Sequence, residues 1–227
     1  MQKTTKGMST ETMVLGAILT ALVIILQIMG AFIKLGPFSI SLVLIPIVIG
    51  AATCGVGIAA WLGLAFGVTV LISGDAAAFL VVNVAGTIIT VLAKGTACGL
   101  FAGLAYKGVL ALLDKRSEKL IGRIKKEYGL CDACTPGVLK FISRNNRYIA
   151  VLVAAIVCPL VNTGIFLIGC LLFFMDTVAG WAAAAGLGGG VAYYMIFVLV
   201  GANFLFELGS NIILSPVVVR LLNLRRK

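Results

Sequence analysis

Residues 83–106 read NVAGTIITVLAKGTACGLFAGLAY, and Lys94 is the one charged side chain among them. About 20 predominantly apolar residues are enough for a helix to cross the hydrocarbon core of a bilayer. The stretch therefore predicts a membrane-spanning helix. Gly95, Gly99 and Gly103 repeat every four residues, a doubled GxxxG that lets a neighbouring helix come close. Gly63 and Gly67 supply the same feature one segment earlier. The segment thus carries a packing signal and a cation in a solvent hostile to charge.

Working outward, the apolar runs predict six spans: 12–33, 40–52, 56–72, 83–106, 148–175 and 191–222. The second and third are short for the purpose, and the sixth is long enough to tilt. Pro46 and Pro159 lie inside the second and fifth, where each removes a backbone hydrogen bond. The composition agrees. Of 227 residues, 61% are hydrophobic, with 18 basic and 8 acidic side chains and a mean hydropathy of +1.16. A water-soluble domain of this size carries far more charge. The expected fold class is an all-α polytopic membrane protein, a single integral membrane domain over 1–227.

Charge sets the expected orientation. The connection 107–147 holds Lys107, Lys115, Arg116, Lys119, Arg123, Lys125, Lys126, Lys140, Arg144 and Arg147. Lys3 and Lys6 precede the first span, and Arg220, Arg225, Arg226 and Lys227 close the chain. Only Lys34 lies in a connection on the other side. The positive-inside rule places both termini and a cytoplasmic loop 107–147 on one face, as six spans require. Within that loop, 115–128 has the spacing of an amphipathic helix, ended by the Cys131–Pro136 stretch. The basic residues have no aromatic platform or nucleic-acid motif beside them, so the expected partner is anionic lipid and not nucleic acid.

Several chemistries lack their residues. The chain contains no His, which removes the usual general base and the commonest metal ligand. Cys131 and Cys134 form a lone CxxC, two of the four ligands that a structural zinc needs. No GxxxxGK[ST], HExxH or GxSxG motif occurs. The expectation is a protein without enzymatic activity, metal or cofactor.

Polar groups inside the spans are the functional signal. Lys94 and Glu207 each cost about 2.5–3.5 kcal/mol at a helix centre. At 1.5 Å per residue they lie about 16 and 24 Å along their segments. They either pair with each other or face a polar cavity. Asn203, Glu207 and Asn211 recur at four-residue spacing and so share a helix face. Asn162 and Thr163 follow Pro159. Asparagine here serves either as ligand contact or as glue between helices. Near the start of the first span, Ala17 and Ala21 form a small-xxx-small face for a partner helix or for internal packing.

These features together resemble the substrate-binding S components of energy-coupling factor vitamin transporters. The likeness rests on the Ala17-Ile18-Leu19-Thr20-Ala21 motif and on the run Phe38-Ser39-Ile40-Ser41-Leu42-Val43-Leu44-Ile45-Pro46 followed by Gly50-Ala51. The layout around Gly74-Asp75 and Asn83 adds to it. It covers nearly the whole chain, although the loop 107–147 is longer than the family pattern. The resemblance implies capture of a water-soluble vitamin, of pantothenate or riboflavin type, near the outer face of a bacterial cell membrane. Lys94, Asn162, Asn203, Glu207 and Asn83 become candidate substrate-binding residues. Ala17 and Ala21 would dock on a membrane-spanning T component that carries two ATPase subunits. A standalone membrane enzyme or an assembly scaffold is the alternative reading.

Overall fold

The first helix, α1, spans Thr10–Gly30. Ser9 caps it, its hydroxyl accepting the Thr12 N–H at 3.3 Å. A two-residue antiparallel pair follows, β1 (Lys34–Leu35) with β2 (Phe38–Ser39), Lys34 opposite Ser39. Next come α2 (Leu44–Thr53), α3 (Val56–Ile72), the single turn α4 (Ala77–Leu80), α5 (Val84–Tyr128), α6 (Thr135–Phe173) and α7 (Met175–Ala184). The last segment is α8 (Val191–Tyr193), a π-helical turn at Tyr194–Leu199, and α9 (Gly201–Leu224). The structure is a computed structural model that describes residues 9–31, 34–35, 38–39, 42–128, 135–187 and 190–224.

Among the described residues, four helical stretches, Thr10–Gly30, Val84–Arg123, Phe141–Phe173 and Gly201–Arg220, are long and apolar enough to cross a membrane; α2 and α3 are apolar but shorter. The distribution of side chains is that of a membrane protein. Large apolar residues cover the outside, among them Val81, 89% exposed, and Ile72, 77% exposed, while Gln27, Thr87, Thr90, Asn162, Glu207, Asn211 and Ser215 are buried. In water such a surface would aggregate. In lipid it is the favourable arrangement, because polar groups there must find partners inside the protein.

The glycines foreseen as a packing seam form one. α3 and α5 meet so closely that a Cβ at Gly63 would strike the Gly95 carbonyl oxygen, and one at Gly95 the Gly63 carbonyl oxygen. A Cβ at Gly99 would strike the Ala59 carbonyl oxygen, and one at Gly67 would sit 2.9 Å from that of Val91. The tight reversal between α2 and α3 needs Gly55, whose φ of +92° is a conformation other residues rarely adopt.

Three element boundaries differ from the sequence expectation. Residues 107–128 and 135–147, expected as a loop with a short helix at 115–128, continue α5 and α6 without interruption well beyond their apolar parts, so that the expected helix forms as part of α5. Lys, Glu, Arg and Leu favour helix, and nothing between Tyr106 and Tyr128 breaks one. At 1.5 Å per residue α5 is about 68 Å long, twice a hydrocarbon core. Asn146 joins the two extensions, donating to Asp114 Oδ1 at 2.8 Å and Ser117 Oγ at 3.0 Å. The second segment becomes helical only at Leu44. The last segment is interrupted. Val200 N–H bonds Met195 O five residues back, at 3.3 Å, and a Cβ at Gly201 would lie 2.9 Å from Ile196 O. The extra residue in that turn and the missing side chain after it break what the hydropathy presents as one helix. Cys131 and Cys134 lie outside the described residues.

The seam makes opposite predictions for two glycines of α5. Gly99→Ala should lower stability by about 1–3 kcal/mol, because its methyl meets backbone that has nowhere to go. Gly108 faces open space, and Gly108→Ala should be neutral or stabilising by about 0.5–1 kcal/mol. Thermal unfolding of the two variants in one detergent checks this; equal shifts would mean that the seam is not close-packed.

Candidate ligand cavity

Most of the interior polar residues named above, though not Asn211 and Ser215, line one cavity of about 70 Å³. Its long wall is α5, where Thr87, Thr90 and Lys94 share a helix face through three- and four-residue spacing. α6 contributes Asn162 and Phe166, and α9 contributes Asn203 and Glu207. Gln27 of α1 and Phe66 of α3 close the opposite side. The connection between α3 and α5 lies over one end with Asp75 and Phe79. It turns there at Gly74, whose φ is +80°.

Glu207 is 1% exposed. Its carboxylate accepts the side-chain amide N–H of Asn203 on Oε1 at 3.1 Å and that of Asn162 on Oε2 at 3.4 Å. Its own carbonyl accepts Asn211 Nδ2 at 2.8 Å and Ser210 Oγ at 3.0 Å. Both amides turn their nitrogen toward Glu207 and their oxygen away, the orientation that an accepting carboxylate oxygen requires. The amide oxygens of Asn162 and Asn203 are buried without a hydrogen-bond partner, as is the hydroxyl of Thr90. Buried polar atoms left unmatched in this way are uncommon, and each calls for water or ligand.

Lys94 has a different environment. Its ammonium lies 5.2 Å from the Phe166 ring centroid and 5.8 Å from that of Phe66, within cation–π range. Among the described residues no ion pair joins it to a carboxylate. The sequence left open whether Lys94 and Glu207 pair or face a cavity; both line this one, without a direct bridge. Lys94, Asn162, Phe166 and Asn203 also border a second chamber of about 40 Å³, completed by Thr163, Leu199 and Val200 at the break before α9.

Gln27 donates to Asp75 Oδ2 at 2.8 Å and is 2% exposed. Phe79 packs edge-on against Phe166, Phe174 and Trp181, with centroids 5.6, 4.9 and 5.4 Å away. This aromatic cluster covers the cavity from the α4 side.

Four of the sequence candidates, Lys94, Asn162, Asn203 and Glu207, therefore share one site. Asn83 does not line it. Its side chain accepts the Gly86 N–H at 2.9 Å and its carbonyl accepts Thr87 Oγ1 at 2.7 Å, the arrangement of a helix N-cap for α5. Ala17 and Ala21 lie on the exposed side of α1, away from the buried Gly16, Leu19, Val23 and Gln27. Sequence reasoning missed Gln27, Thr87, Thr90 and the phenylalanines. Gln27 carried a readable signal, a neutral polar side chain near the end of an apolar run. Thr87 and Thr90 were legible as the Lys94 face; the phenylalanines looked like any others. No family model, no curated protein and no solved structure matches this chain.

The amide–carboxylate clamp predicts coupled energetics. Asn203→Leu leaves Glu207 with one fewer donor and should cost about 1–3 kcal/mol. Adding Glu207→Leu should then cost less than the sum of the two single changes, by about 0.5–3 kcal/mol, since both partners leave together. A double-mutant cycle read by unfolding tests it; strictly additive changes would show that the two side chains do not depend on each other.

Proposed function

We propose that this chain is the substrate-capture subunit of a vitamin transporter in the bacterial cell membrane, like the S components that its sequence resembles. It would cross the bilayer six times with both termini cytoplasmic, and perform no chemistry of its own. The observation that carries the reading is the unmet hydrogen bonding around Lys94. A cation bridged to no carboxylate among the described residues shares one cavity with Glu207 and Asp75, two unpartnered amide oxygens and an unpartnered hydroxyl. A ligand that suits them presents an acceptor, best an anion, to Lys94 and N–H or O–H groups to Asn162, Asn203 and Thr90. Water-soluble vitamins of pantothenate type combine a carboxylate with amide and hydroxyl donors. The phenylalanines supply the apolar lining that small-molecule sites use.

At about 70 Å³ the cavity is well below the roughly 300–1,000 Å³ of drug-sized ligand sites. Capture on this reading includes opening of the aromatic cover at Phe79, a cost met by ligand contacts. Ala17 and Ala21 supply the small-residue face on which a T component with its two ATPase subunits would dock. Their exposure is compatible with that role.

Mass spectrometry of small molecules retained by the purified chain tests the capture reading. A water-soluble anionic compound bearing N–H or O–H donors should be found, with no ATP hydrolysis by the chain alone. Lys94→Met should weaken binding of that compound by roughly 10- to 150-fold, the worth of a charged hydrogen bond. It should leave the melting temperature unchanged or raised, because no ion pair is broken. Retained affinity in a folded Lys94→Met protein would overturn the reading.

The docking face has its own test. Ala17→Trp with Ala21→Trp should prevent co-purification with a T component and leave ligand binding intact. Undiminished co-purification would remove α1 from the interface.

A further inference from the structure

Beyond the central cavity, α6 and α9 enclose a groove of about 340 Å³ that contains two guanidinium groups. Arg144 comes from α6 and Arg220 from α9, and among the described residues no carboxylate lines the groove. Among the described residues neither arginine forms an ion pair. Arg144 instead lies 5.6 Å from the centroid of the Phe141 ring. One turn further along α6, Tyr148 lines the groove, and Pro216 and Val219 supply the apolar α9 side.

The position of the groove is as informative as its charge. Arg144 lies just before the apolar run 148–175, and Arg220 close to the end of the run 191–222. Both guanidiniums therefore stand where hydrocarbon gives way to headgroups, the level at which lipid phosphates and interfacial tyrosines lie. The neighbouring arginine on α6 shows the contrast. Arg147 donates to Ser143 Oγ at 2.9 Å and shares a separate cavity of about 270 Å³ with Asp114. That second cavity holds both signs of charge. Among the described residues, the charged side chains lining the groove are Arg144 and Arg220, both basic, at the ends of two apolar runs.

We propose that this groove is a binding site for the phosphate headgroup of an anionic phospholipid, with Arg144 and Arg220 gripping the phosphate from two helices. Guanidinium is the side chain best shaped for phosphate, presenting paired N–H donors in a fixed fork. Tyr148 lies at the level of the glycerol backbone, and the Pro216–Val219 side faces the start of an acyl chain. A lipid held there bridges α6 and α9, the two helices that carry Asn162 and Glu207, and so ties the central clamp to the lipid composition of the leaflet.

The test uses the full chain in nanodiscs of phosphatidylglycerol mixed with phosphatidylcholine, followed by mass spectrometry of the lipid that stays bound on release. Phosphatidylglycerol should be retained in preference to phosphatidylcholine, whose phosphate is already neutralised by its choline. At about fivefold per arginine near a membrane surface, Arg144→Gln with Arg220→Gln should weaken retention about 25-fold. Lys115→Gln with Arg116→Gln, which removes the same charge elsewhere on the basic extension, should leave retention unchanged. Both arginines are exposed, and Arg220→Gln alone gives a milder comparison, about fivefold, should the double variant fold poorly. Retention equal to that of the parent in the groove variants would overturn the proposal. Equal loss in the Lys115/Arg116 control would overturn it too, assigning the effect to overall charge. Inorganic phosphate is added to the same samples as a competitor. Displacement of the lipid only at high phosphate supports a lipid site; arginine-dependent binding of phosphate as tight as the lipid would reassign the groove to a free anion.

Discussion

A carboxylate inside a membrane protein has to be surrounded by donors, and Glu207 draws two of its donors from different helices. Asn203 reaches it from one turn earlier on α9 and Asn162 from across α6. The carboxylate sets the orientation of both amides, and with it the direction of their oxygens. The unpartnered oxygens at the cavity wall are thus a consequence of satisfying Glu207. The same residues that hold α6 to α9 create an unfilled demand for donors. This is how a buried carboxylate is kept: one side of each amide meets its cost, and the other side is left without a partner.

The remaining helices bring Lys94 to that demand. The glycine seam between α3 and α5 draws the two backbones together and places Lys94 between Phe66 of α3 and Phe166 of α6. Rings stabilise a cation without neutralising it. The ammonium is held by the two rings and bridged to no carboxylate among the described residues. A direct Lys94–Glu207 bridge would have closed the site electrostatically. Instead Glu207 bonds the two amides, and Lys94 lies by the two rings.

Away from the cavity, the helix extensions of α5 and α6 carry the basic residues out of the apolar layer as one packed pair, bolted by Asn146 onto Asp114 and Ser117. Positive charge that the sequence presents as a diffuse orientation signal is therefore carried largely on helices. Part of it, at Arg144 and Arg220, is gathered into a groove.

Composition and run length determined the class of the protein, because hydrocarbon allows so few backbone solutions that 61% apolar residues in long runs leave little beyond helices. The spacing of Gly63, Gly67, Gly95 and Gly99 determined a close helix contact, since only a missing Cβ permits it. Lys94, Asn162, Asn203 and Glu207 stood out for the same reason: each is expensive in lipid. The tertiary structure alone decided what those residues do to one another. Hydropathy cannot say whether Lys94 meets Glu207 or two phenylalanines, because that depends on how helices rotate against their neighbours. It cannot separate Asn83, whose side chain caps α5, from Asn162, whose side chain faces the cavity; both are polar residues in apolar surroundings. The break at Val200 and Gly201 was hidden because an extra residue in one turn leaves the apolar run unchanged. Gln27 reached the site through Asp75, 48 positions away in the chain, and a contact of that kind exists only once the helices are packed.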